Sequence, residues 1–86
     1  MEQFLRKLKR VLKTEFVGAS TDIDITVPGH KVGGYLIWKG FTGLEQIDRQ
    51  EKLWSFINEK LTPDERKSIS ILMTLTPVEA SYARKS

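Results

Sequence analysis

Eighty-six residues, 40% of them hydrophobic, allow one domain with a modest core, because a chain this short buries only about two-thirds of its unfolded surface on folding. The absence of cysteine excludes a disulfide framework, a thiolate metal site and a cysteine nucleophile, and it suits the reducing cytoplasm expected for this chain. Fourteen Lys and Arg against eleven Asp and Glu leave a net charge of +3, a slight bias toward anionic partners.

The first segment places Phe4, Leu5, Leu8, Val11, Leu12 and Phe16 at helical spacing, with Arg6, Lys7, Lys9, Arg10 and Lys13 on the opposite side. An amphipathic helix with a basic back is predicted near residues 3–16. It lacks the unbroken apolar run of a signal peptide, and no segment approaches the roughly 20 apolar residues of a membrane span. Gly18-Ala19-Ser20 closes the helix, since glycine accepts the left-handed geometry that ends many helices. Asp22 to Val27 then alternates strictly, with Ile23, Ile25 and Val27 on one face of a half-buried strand. Pro28-Gly29-His30-Lys31 carries turn chemistry, and Val32 to Trp38 returns as the second strand of a hairpin.

Gly40-Phe41-Thr42-Gly43 breaks that strand and turns into a helix, with Phe41 plugging the core. Over residues 44–61, Leu44, Ile47, Trp54, Ile57 and Leu61 form the expected apolar stripe, supported by the i,i+4 pairs Glu45–Arg49 and Asp48–Lys52. Thr62-Pro63-Asp64-Glu65 is a capping box with proline at the first helical position, so a short helix is predicted over 63–68. Ile69 to Leu75 alternates as a third strand. Thr76-Pro77-Val78-Glu79 repeats the cap and starts one last turn before a polar tail at 81–86, which leaves residues 1–80 as the domain. The fold class is α+β: helix, strand, strand, helix, helix, strand around a three-stranded mixed sheet.

That order resembles the BolA-like family, which shares its topology with the class II KH fold. The local match is Phe41-x-Gly43-Leu44, then Ile47-x-Arg49-Gln50, then Thr76-Pro77-x-Glu79. Phe41, Gly43, Arg49, Thr76 and Pro77 are thus the motif residues. The resemblance implies a non-catalytic regulatory or adaptor module. Its candidate partners are nucleic acid or a monothiol glutaredoxin, the latter joined through a shared two-iron, two-sulfur cluster. Aligned back from Thr76-Pro77, Ser68 stands where the family carries a cluster-ligating histidine, and a hydroxyl is a poor substitute for imidazole or thiolate. His30, the single histidine, lies near the region of a second ligand and is the weak metal candidate. No cofactor is expected.

The basic helix, extended by Lys52, Lys60, Arg66 and Lys67, is the candidate surface for nucleic acid or another anionic partner. Gly40 to Gly43 resembles a KH phosphate clamp, but in that fold the clamp joins the two consecutive helices, here Leu61-Thr62-Pro63, which has no glycine. Phe56 falls off the predicted stripe among basic residues and is a candidate stacking or partner contact. Tyr35 and Ile37 are expected on the open sheet face, with Leu72 completing an apolar patch, and Leu36 and Trp38 on the helix side. Neither a serine elbow, a phosphate loop nor a spaced triad accompanies His30, so no enzymatic activity is expected.

Overall fold

A computed structural model describes residues 1–27 and 30–85; Pro28 and Gly29 of the predicted turn lie outside them. The elements are α1 (Glu2–Glu15), β1 (Ser20–Val27), β2 (Lys31–Ile37), a 3-10 turn (Lys39–Phe41), α2 (Gln46–Lys60), α3 (Pro63–Lys67), β3 (Ile69–Leu75) and α4 (Pro77–Lys85). The sheet order is β1-β2-β3, β1 antiparallel and β3 parallel to the central β2. This is the expected small α+β domain with a mixed sheet. The last helix is longer than the single turn expected, running nine residues from the Thr76 cap to Lys85.

The core forms where α1 and α2 lay their apolar faces on one side of the sheet. Leu5, Leu8, Leu12 and Phe16 of α1 are all buried, and at about 1.5–3 kcal/mol per buried side chain they hold that helix down. Phe16 is the aromatic centre: its ring lies 5.1 Å from Trp38, 5.9 Å from Phe41 and 5.7 Å from Phe56. The Trp38 and Phe56 contacts are edge-to-face, which the ring quadrupoles favour. The Trp38 indole N–H donates to the Val17 carbonyl at 3.0 Å, so its polar atom is satisfied beside the core.

The face that α2 buries differs from the predicted stripe. Leu44 and Ile47 are exposed, whereas Arg49, Leu53, Phe56 and Ile57 are buried. The reason lies in the neighbouring strand. Leu75 O accepts from Trp38 N, and strand alternation then turns the carbonyls of Leu72 and Thr74 to the free edge of β3. Gln50 Nε2 donates to Leu72 O and Gln46 Nε2 to Thr74 O, each at 3.1 Å. The first half of α2 therefore presents polar side chains that satisfy an edge strand, a task hydrophobic periodicity cannot reveal.

Candidate functional site

The basic back of α1 survives folding in part. Arg6, Arg10 and Lys13 are exposed and Lys9 half-buried. Lys7 instead pairs with Glu65 of α3 at 2.5 Å, which with the Thr62 backbone N–H lowers the Glu65 pKa. That contact staples α1 to α3. Arg66 is also committed: its Nη1 donates to Leu61 O at 3.0 Å and Asn58 O at 3.4 Å, capping the carbonyl end of α2. Lys52 and Lys67 are exposed, and Lys60 lies 4.0 Å from Glu59.

One groove joins the two helices. Arg10 of α1 and Lys60 of α2 both line a groove of about 260 Å³, with Val11, Thr14, Glu15 and Phe56. Phe56 belongs to the core as well, nine-tenths buried under α1 and stacked edge-on to Phe16, so it offers no free ring face for a base. The expected stacking residue is corrected to a core residue, because its side chain follows the buried face of α2.

The motif residues converge at a second place, the junction of α2, β3 and α4. Arg49 is only 6% exposed. Its Nε donates to Leu44 O at 2.9 Å, Nη1 to Glu79 Oε1 at 2.6 Å, and Nη2 to Glu79 Oε2 at 3.2 Å. The fork-to-fork geometry is the strong form of this pair. Glu79 Oε1 also accepts from Thr76 N at 2.9 Å and Thr76 Oγ1 from Glu79 N at 3.2 Å, which completes the second capping box. Arg49 and the cap together lower the Glu79 pKa to about 2. Phe41 lies beneath, 6.0 Å from the guanidinium carbon. The predicted Glu45–Arg49 pair does not form, because Arg49 turns inward to a carboxylate that also serves a cap. A helix-face arginine followed by a Thr-Pro-x-Glu box was the available signal for this latch.

Thr74, also buried, extends the network: its hydroxyl donates to Gln46 Oε1 at 2.9 Å and accepts from Gln50 Nε2 at 3.1 Å, while Trp54 Nε1 donates to Gln50 Oε1 at 3.2 Å. These side chains fix how α2 sits against β3. Their chemistry is structural, since each donor and acceptor already has a partner within the fold.

Ser68 ends α3, where its carbonyl accepts from Val32 N at 2.8 Å, and His30 lies just before β2. Ser68 itself lines a cavity with Lys7, Asp64 and Glu65. Among the described residues no three His, Asp or Glu side chains gather in a metal-binding group. The open sheet face carries Tyr35 as expected. Leu72 is corrected to the core side, opposite Gly34, while Ile71 and Met73 occupy the open face. Ile37 has the expected parity but is buried, sharing a cavity with Pro77 and Ala80 of α4.

No family model, curated protein or solved structure matches this chain. No helix among the described residues is long and apolar enough to cross a membrane.

Proposed function

We propose that this chain is a non-catalytic, BolA-like regulatory or adaptor module that contacts an anionic partner, nucleic acid first, through the back of α1. The observation that carries this reading is that Arg10 and Lys60, from different helices, line one groove. Beside it Arg6, Arg10 and Lys13 are exposed and make no ion pair with any described carboxylate. Spaced i, i+4 and i+7, they form a row roughly 10 Å long on the helix. Charge, and not a KH clamp, supplies the attraction. At the α2–α3 junction Thr62 Oγ1 already accepts from Glu65 N and Glu65 Oε1 from Thr62 N, so that loop presents a closed cap instead of a glycine cradle.

Phosphate contacts release counterions, so neutralising roughly three phosphates should give a log–log salt slope of about −2 for a single strand. Fluorescence titration of labelled single-stranded RNA and DNA at two salt concentrations tests this. Weak binding at low salt, lost in the Arg6→Glu/Lys9→Glu/Arg10→Glu variant with its circular dichroism unchanged, is the expected result. Equal binding by the triple variant, or none by wild type at low salt, removes nucleic acid from the reading.

A further inference from the structure

The groove between α1 and α2 holds one charge that phosphate attraction does not explain. Its cations, Arg10 and Lys60, come from different helices, and Val11 with the rim of Phe56 supplies apolar lining, but Glu15 lines it as well. That carboxylate is exposed, and no described cation pairs with it. Helix stability does not account for it either, because Glu15 is the last residue of α1, where the negative end of the helix dipole disfavours an anion. Toward a phosphate backbone it only repels. An ionised carboxylate accepts hydrogen bonds and donates none, so its best complement is a group with two adjoining N–H donors. Between two cations, that group is not itself a cation. Thr14 donates its hydroxyl proton to Arg10 O at 2.9 Å, so no free hydroxyl donor in the lining competes with Glu15 by favouring an acceptor edge.

We propose that this groove reads an unpaired guanine in a single strand, Glu15 accepting from the N1–H and N2–H of the base while Lys60 and the Arg6, Arg10, Lys13 row hold the flanking phosphates. The proposal rests on nucleic-acid binding by the back of α1. Guanine alone among the bases presents two adjoining donors; adenine, cytosine and uracil each set an acceptor beside their donor, and an acceptor faces a carboxylate unfavourably. About 260 Å³ has room for one base and its sugar, and not for a base pair. Arg10 and Glu15 are five residues apart, roughly 7.5 Å along the helix, which is of the order of the reach from a phosphate to the far edge of its own base. The base lies against Val11 and the edge of Phe56, so no free ring face is needed. In a duplex the same guanine edge is already paired with cytosine. Single-stranded guanine is therefore the ligand that satisfies both signs of charge in the groove.

The test is fluorescence anisotropy of the full chain at low salt with short labelled strands of uridine carrying guanine, inosine, adenine, cytosine or uracil at the central position. The guanine strand is expected to bind roughly fivefold or more tighter than the uracil strand, with inosine, which lacks the N2 amino group, between them. Glu15→Gln lies at an exposed helix end and should leave the circular dichroism unchanged. It is expected to bring the guanine-to-uracil ratio close to one, and to bind the uracil strand as well as wild type or better, because a carboxylate no longer faces the phosphates. Guanosine monophosphate alone should compete only weakly, since it engages one phosphate site. Equal affinity of wild type for all five strands, a guanine preference that survives Glu15→Gln, or a mononucleotide that binds as tightly as the strand would each overturn the proposal while leaving charge-driven binding by α1 intact. Absence of binding to every strand removes the nucleic-acid role itself, and the guanine site with it.

Discussion

Gly34→Ala is expected to cost several kcal/mol, the largest effect of any single methyl added to this chain. Gly34 sits in the central strand at φ +149, and a Cβ there would lie 2.1 Å from Asp22 O and 2.9 Å from Ile23 Cα. Neither obstacle is a flexible side chain, so relief requires β1 to move away from β2. A residue held in a sparsely populated backbone region costs roughly 1–3 kcal/mol, and overpacking adds about 1–3 more. Against a total stability of roughly 4–13 kcal/mol for a domain of this size, that is a large fraction. Gly43→Ala is the control: φ is +86 there, but nothing lies within 4 Å of the added carbon. It should cost only the conformational part, about 1–2 kcal/mol. Urea unfolding of both variants measures the difference, and equal midpoints would mean that the β1–β2 register is not the one described.

Arg49→Met is expected to destabilise by about 2–3 kcal/mol, with methionine filling the space of the stem. Removing one partner of a buried ion pair costs about 3–5 kcal/mol, and the lower figure applies because Glu79 keeps 42% of its side chain in water. The loss should carry a pH signature. Glu79 is depressed from the ordinary 4.5 to about 2, so its pairing contributes fully above about pH 4.5 and is lost as pH falls through 2. Unfolding free energy of the wild type should therefore drop between those limits, and Glu79→Gln should flatten that part of the curve. The flattening will be incomplete, since Glu65, also lowered by its pairing with Lys7, titrates in the same direction. Chemical denaturation at pH 6, 4 and 2.5 reads the effect. A curve for Glu79→Gln that parallels wild type throughout would exclude the latch as its source.

What the amino-acid order determines by itself here is what acts over short range. The Leu5, Leu8, Leu12, Phe16 stripe and both Thr-to-Glu caps join residues a few positions apart, and each formed as read. The basic row on α1 is likewise visible as spacing. Tertiary structure alone decided which of those charges stay available. Lys7 goes to Glu65, 58 residues away, and Arg49 to Glu79, 30 away, and no local pattern specifies such pairs. It also decided the buried face of α2, because the free carbonyls of β3 recruit Gln46, Arg49 and Gln50 where an apolar count points to Ile47. The parity of β3 followed the same logic. Alternation says that Ile71 and Leu72 point opposite ways, but only pairing with β2, shifted between Val32 and Gly33, says which of them faces the core.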